Sequence, residues 1–513
     1  VITQAISRAQ QIAPKAVIAV VDREGFVLGV WSADDPRPLG PLPPPPLPND
    51  IAVLDAITKA GSAAFLSSNQ NAFTSRTAGF IVQQHFPPGI QNRPNGPLVG
   101  VNFSNLEFTD VNRFKNPNNG YVANLTSGIN GAAIAGFPFS ALTGLAGSPG
   151  GVPLYRSGIL IGGVGVAGTT IAPKVSPFSS LADIQTQSQQ RYDPDEDVAL
   201  AGQTGFQPSA AIFGSKVLID GIRVPYVVGS TRLGTVKPLG LIGRVVPPYV
   251  VVASPLVAYP TGTFGGQTCE IRAPIIADPE VGPISGQSRL TATEVATILS
   301  QASARAKITR AGIRLPAGKA AQTFITVVNI PKSPNTAPVI LGTIRTPDAT
   351  VFSWDVSAQK ARTAVFFSNN TRAFSSRTVG FLSQQFYPPG IANTAPGPFY
   401  SLQEEYSLLF KDARNPLNGA IGRVPIPPPG QPLPPPNPYL PNGITIFPGG
   451  FPLYRNGVLI GAIGVSGDGI DQDDLIAAAG TVGFVAPDAI RADRYQYQGA
   501  RLPYAKFPRN PDL

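Results

Sequence analysis

Apolar positions recur with a helical period over Val1 to Ile12, then give way to two β-branched runs within Lys15 to Trp31, KAVIAVVDREGFVLGVW. The break between the runs, Asp22-Arg23-Glu24-Gly25, predicts a β-hairpin. A helix is expected over Asp50 to Leu66, with Asn49 or Asp50 as its N-cap and alanine-rich faces that permit close packing. From Gly150 the period returns to two in GGVPLYRSGILIGGVGVAG, a hairpin turning at Ser157-Gly158. A last helix is expected behind the acidic run Asp193 to Asp197.

The same succession then occurs a second time. Thr291 and Glu294 form a capping-box pattern ahead of a helix, a start signal that the segment from Val1 lacks, so the first copy is expected to begin inside its helix. Thr323 to Arg345 matches the first hairpin with a longer loop, and Val356 to Phe367 matches the alanine-rich helix. GGFPLYRNGVLIGAIGVSG from Gly449 matches the second hairpin, and Asp471 to Asp474 leads into the last helix. The best-matched stretch is AFTSRTAGFIVQQHFPPGI from Ala72 against AFSSRTVGFLSQQFYPPGI from Ala373, identical at 13 of 19 positions. Its Pro-Pro-Gly is expected to end a helix containing Gln83-Gln84 or Gln384-Gln385. A shared close, Gly221-Ile222-Arg223-Val224-Pro225-Tyr226 and Gly499-Ala500-Arg501-Leu502-Pro503-Tyr504, completes each copy.

The chain therefore divides into a first domain over 1–228, a linker over 229–288 and a second domain over 289–513. Runs such as Val250 to Val257 are β-prone, so the linker is expected to pack on the domains. Pro36 to Pro48 and Pro425 to Pro441 are proline tracts suited to polyproline II, read as stiff surface loops in preference to ligands for a proline-recognising module.

Composition narrows the possible functions. The net charge is +9, but Lys and Arg are scattered singly, which argues against nucleic acid. No apolar run reaches the roughly 20 residues of a membrane span. Cys269 is the one cysteine and methionine is absent, even at position 1, so the chain reads as a mature or partial one. A lone thiol excludes an intrachain disulfide and a thiolate zinc site. Scarce oxidisable sulfur suits a secreted or periplasmic setting. With only 13% charged residues against 54 glycines and 56 prolines, many turns and surface covered by partners are expected.

The Val20-Val21-Asp22 hairpin with Gly25, Lys59-Ala60, Gly150 to Pro153 with Gly158, Gly162 to Gly168, and Asp195 to Gly202 resemble the GlcG/HbpS-like family, DUF336. In the second copy the matching residues are Lys360-Ala361, Gly449 to Pro452, Gly457, Gly461 to Gly467, and Asp471 to Gly480. The resemblance implies two tandem α/β (α+β) domains, each an antiparallel sheet packed with helices. It also implies oligomers and non-covalent binding of haem, another tetrapyrrole or iron. Asn329 departs from the pattern where the first copy has Asp22, which puts the second pocket in question.

Candidate ligand-binding residues follow from chemistry. His85 is the one histidine, and imidazole is a good axial ligand for haem iron, yet Phe386 replaces it in the second copy. Tyr387 offers a phenol where the first copy has Phe86. The shared cations Lys59, Lys360, Arg76 and Arg377, with Thr77 and Thr378, suit propionates or a small carboxylate; the competing reading pairs the arginines with internal carboxylates. Tyr155-Arg156 and Tyr454-Arg455, at hairpin turns, suit interfaces better than pockets. The acidic clusters are read as helix-end carboxylates in preference to a cation site. One histidine cannot build a symmetric Ser/His/Asp set, so no catalytic residue is assigned. Three readings result: a haem- or iron-binding protein outside the cytoplasm, a structural protein reusing the fold in a larger assembly, and a binder or lyase of small hydroxy acids.

Overall fold

The computed structural model describes residues 1–33, 48–81, 86–87, 96–98, 146–168, 192–246, 251–254, 258–316, 318–333, 336–384, 386–391, 393–400 and 444–513. They belong to two compact units, and the chain passes from the first to the second between 254 and 258. Both proline tracts lie outside the described residues, except that Pro48 opens a helix.

The first unit contains α1 (Ile2–Ile12), the hairpin β1 (Val17–Asp22) and β2 (Val27–Ser32), α2 (Pro48–Leu66) and α3 (Ser75–Ile81). The hairpin β3 (Gly151–Arg156) and β4 (Ile159–Ala167), α4 (Pro194–Gln203), and the short strands β5 (Leu218–Ile219), β6 (Ile222–Arg223) and β7 (Arg244–Val245) complete it. Its antiparallel sheet has the order β3-β4-β1-β2-β7. Ile18, Val20, Val164 and Val166 face α1 and α4 on one side, and the alternate positions face α2 on the other. The expected N-cap is displaced: α2 starts at Pro48, so Asn49 and Asp50 lie inside its first turn. Proline fits there because its fixed φ suits the first turn and its missing N–H costs nothing.

The second unit begins with β8 (Thr261–Phe264) and β9 (Gln267–Ala273), then α5 (Ala292–Ile308), β10 (Phe324–Asn329), β11 (Ile340–Arg345), α6 (Ser353–Phe366) and α7 (Ser376–Leu382). The hairpin β12 (Gly450–Arg455) and β13 (Val458–Ser466), α8 (Ile470–Gly480), and β14 (Gln496–Tyr497) with β15 (Ala500–Arg501) follow. Its sheet, β12-β13-β10-β11-β9-β8, repeats the first order and adds an edge strand. Residues 229–288 thus supply strands to both sheets: β7 pairs with β2, and β9 with β11. The capping box ahead of α5 is formed, with Thr291 Oγ1 accepting from Glu294 N and Glu294 accepting from Thr291 N.

Glycine decides how close helix and sheet come. A Cβ on Gly165 would sit 2.0 Å from Ala56 O of α2, and one on Gly464 would sit 1.9 Å from Ser357 O of α6. Only hydrogen fits, so each helix backbone lies directly on the strand. The helices α2 and α6 are buried over most of their length, and that is where Lys59 and Lys360 sit. Among the described residues no helix is long and apolar enough to cross a membrane.

Two further expectations are corrected. Helix α7 ends at Leu382, ahead of Gln384 and not at Pro-Pro-Gly, while Gln83 and Gln84 lie outside the described residues. Tyr155 and Tyr454 point into the core: Tyr155 Oη donates to Ser68 O at 2.7 Å and Tyr454 Oη to Asn369 O at 2.8 Å. A register shift between Leu154 and Tyr155, repeated between Leu453 and Tyr454, breaks the strict alternation.

Candidate functional site

The residues behind the site are a pair of buried ion pairs in each unit. Close packing of α2 on β4 carries Lys59 Nζ to Val166 O at 2.9 Å and Asp195 Oδ2 at 2.9 Å, with Asp55 Oδ2 at 3.1 Å. Lys360 Nζ reaches Val465 O at 2.8 Å and Asp473 Oδ2 at 2.7 Å, but Val356 stands where the first copy has Asp55. Burial pulls the Lys59 ammonium down, and the charges of Asp195, Asp55 and Asp193 overcome it, so its pKa is raised. For Lys360 burial prevails over Asp473 and the pKa is lowered. Burial likewise pushes Asp55 and Asp473 each up to about 6.

The arginines of the best-matched stretch follow the internal alternative. Arg76, fully buried, donates Nε to Glu196 Oε1 at 2.8 Å and Nη2 to Glu196 Oε2 at 2.9 Å. Arg377 pairs through Nε with Asp474 and through Nη2 with Asp471 Oδ1 at 2.6 Å. Burial raises both the Glu196 and the Asp474 carboxyl despite these partners. The same carboxylates grip the closing segment of each unit, since Val228 N donates to Glu196 at 2.8 Å and Lys506 N to Asp474 at 3.0 Å. Thr77 Oγ1 donates to Pro225 O at 2.6 Å and Thr378 Oγ1 to Pro503 O at 2.7 Å. Ser-Arg-Thr is therefore a clamp on the distant Pro-Tyr signature. The first unit's acidic run agrees with its helix-end reading: Asp193 caps α4, and the next three carboxylates meet Lys59, Arg76 and Arg8.

In the second unit the clamped segment forms one wall of a cleft of about 660 Å³. Phe381, Phe451 and Tyr504 supply aromatic surface, Phe507 flanks the mouth, and Arg491 and Arg501 bring positive charge. Phe451 and Tyr504 meet edge to face, with ring centroids 5.3 Å apart. Arg491 is held by Asp493 at 2.6 Å and Asp488 at 2.9 Å, with its guanidinium 5.0 Å from the Tyr504 ring centre. Arg501 is exposed and uses Nε on Asp493 O at 2.7 Å; among the described residues its two Nη atoms have no partner. The volume lies in the usual range of small-molecule sites, roughly 300–1,000 Å³.

Tyr387 is buried, donates Oη to Tyr497 O at 3.1 Å and supports Phe381 edge to face at 5.6 Å. His85 lies outside the described residues. Lys59, Lys360, Arg76, Arg377, Thr77 and Thr378 form the frame, with their charges and hydroxyls met inside the protein. Arg491 and Arg501 were not singled out from the sequence. Arg501 lies in the shared Arg-x-Pro-Tyr close, and reading that signature together with Ser-Arg-Thr is the signal that would have found it.

The frame also accommodates Asn329. Asp22 closes its hairpin by accepting from Glu24 N and Phe26 N, each at 2.9 Å, and accepts from Ser254 Oγ at 2.6 Å. Asn329 accepts from Val339 N at 2.7 Å but donates Nδ2 to Asp278 Oδ1 at 2.9 Å. A carboxylate already faces position 329, so an amide that can donate replaces one that could only accept.

Residues 335–481 match the HbpS-like family, described as haem degrading protein HbpS-like. Among solved structures, the "PduOC:Heme Complex" is 20% identical and covers 38% of this chain and 96% of its own, with a TM-score of 0.22. Klebsiella pneumoniae ORFY, of family DUF336, is 18% identical over 40% of this chain and 96% of its own, with a TM-score of 0.23. A double mutant of Streptomyces reticuli HbpS is 15% identical over 40% of this chain and 98% of its own, with a TM-score of 0.22. No curated protein sequence matches the chain.

Proposed function

We propose that the second unit binds a tetrapyrrole, haem or a close relative, non-covalently in the cleft between the Pro503 to Phe507 wall and Phe451. The observation that carries this reading is the joining of an aromatic lining to an exposed guanidinium with two unmet N–H edges. A tetrapyrrole is an apolar disc with carboxylates along one edge. Its face would lie on Phe381 and Phe507, above the buried Phe451 and Tyr504, and a propionate would take the Arg501 fork. Haem so held would supply redox-active iron. Arg377, Thr378 and Asp474 serve as positioning residues that hold the wall, and Tyr387 backs Phe381. The haem-related description of the family matched over 335–481 supports the ligand class. Scarce sulfur supports a place outside the cytoplasm.

A second reading, contact with further copies in an assembly, draws on Val482, Val485 and Phe507, which are exposed by 57%, 61% and 49%. Light scattering after size exclusion tests it, and a strict monomer at high concentration removes it. The binding reading is tested by titrating the full chain with hemin. A shifted Soret band that Arg501→Ala weakens about tenfold is expected, equivalent to about 1.4 kcal/mol. An unchanged hemin spectrum overturns it.

A further inference from the structure

We propose that the cleft recognises the porphyrin ring and its carboxylates and is indifferent to the metal, so that metal-free and metal-bearing porphyrins bind alike. This rests on the tetrapyrrole reading and adds which ligands qualify. The side chains that best hold haem iron are histidine, cysteine and methionine. The whole chain has one histidine, His85 of the first copy, one cysteine and no methionine. Cys269 lies in β9 away from the cleft, buried, with Sγ 3.5 Å from Ser303 Oγ, and burial raises its thiol.

The oxygens lining the cleft are equally unsuited. Asp493 is engaged on Arg491 through both carboxylate oxygens, at 3.1 and 2.6 Å. Thr481 donates its hydroxyl to Ala478 O at 2.7 Å, which leaves a neutral oxygen. Tyr504 is the one phenol, and it is 9% exposed, packed on Phe451 and beneath the Arg491 guanidinium. Burial raises its pKa, so it stays protonated near neutrality and is not offered as phenolate. Among the described residues no three His, Cys, Asp or Glu side chains gather as a metal site. What the cleft does offer, the accessible aromatic surface of Phe381 and Phe507 and the Arg501 fork, acts on the parts of a porphyrin that do not change when the metal does.

The test uses the full chain and three probes: protoporphyrin IX, zinc protoporphyrin and hemin. Binding is followed by porphyrin fluorescence for the first two and by the Soret band for the third. Dissociation constants within about threefold of one another are expected, each weakened about tenfold by Arg501→Ala and unchanged by His85→Ala. Hemin held ten or more times tighter than the metal-free ring, or a loss of hemin binding in His85→Ala, overturns metal indifference while leaving haem binding standing. No binding of any of the three overturns the tetrapyrrole reading and this inference with it. Circular dichroism of the Arg501→Ala protein shows that the exposed side chain has been removed from a folded chain.

Discussion

The two units use the same frame with different charge and different filling. The first surrounds its buried lysine with Asp55 and Asp195 and closes Arg76 on Glu196 out of contact with solvent. The second drops one carboxylate at Val356 and leaves Arg377 partly exposed. At the cleft the contrast is sharper. The bridge from Ala72 leads to Phe213, whose ring stacks on Tyr226 at 4.5 Å and 15°, whereas the bridge from Ala373 leads to Arg491. Where the first unit stacks carbon on its tyrosine, the second places a tethered cation over an aromatic cleft. The shared residues therefore hold the frame of each unit, and the cleft joins shared positions, Arg501 and Tyr504, to positions that differ, Phe451 and Arg491.

The largest expected effect separates the two arginines. Arg76→Ala leaves Glu196 buried and without its partner, at a cost of about 3–5 kcal/mol. Arg377→Ala is expected to cost less than half of that, because its side chain is 12% exposed and one of its partners, Asp471, is 20% exposed and also paired with Lys506. Amide exchange read by mass spectrometry resolves the units, and equal protection losses at α3 and α7 would break the comparison. Next in size is Asn329→Asp, which sets two carboxylates against each other beside Arg289 and is expected to destabilise the second unit by about 1–3 kcal/mol. Asp278→Asn in the same chain should restore most of the loss. No recovery in urea unfolding of the double variant would show that position 329 matters for another reason.

The units are also expected to differ in their pH dependence. Lys59 has its pKa raised above 10.5, so its contribution is complete below that value and is lost as pH climbs through the native one. Lys360 has its pKa lowered, so between its native value and 10.5 the unfolded state holds more protons and the second unit gains stability as pH rises. The alkaline slopes of the two units are thus expected to be opposite. On the acid side Asp468 and Asp473 are pushed up from 3.8 to about 7 and about 6, chiefly by burial. The native state holds those protons more tightly, so the second unit loses stability as pH rises from 3.8 to about 7. The first unit, with Asp55 at about 6, does so over a narrower window. Parallel slopes across both windows would remove the electrostatic distinction.

Much of the fold is legible in the chain because its signals are local. The turn glycines at 158 and 457, the capping box at Thr291 and the two hairpin periods each depend on neighbours within a few residues. The start of α2 is less legible, because proline reads both as the end of a tract and as the start of a helix. Arg76 was legible as a cation but not as one committed to Glu196, which lies 120 residues away. Tyr155 read as a surface residue because a bulge that turns it inward leaves no mark in the alternation.

The sequence by itself determined the recurrence of the matched stretches, the order of helices and hairpins around them, and the shortage of sulfur and imidazole, since these depend on residue identity and short spacing. Only the tertiary structure decided which charges are used up inside. Glycine-sized contacts at 165 and 464 place the helices, the helices place Lys59 and Lys360, and burial makes each nearby carboxylate choose a partner. The cleft is likewise a product of folding, because Phe381, Phe451 and Arg501 come from three separated segments. No pattern along the chain brings them together, and packing does.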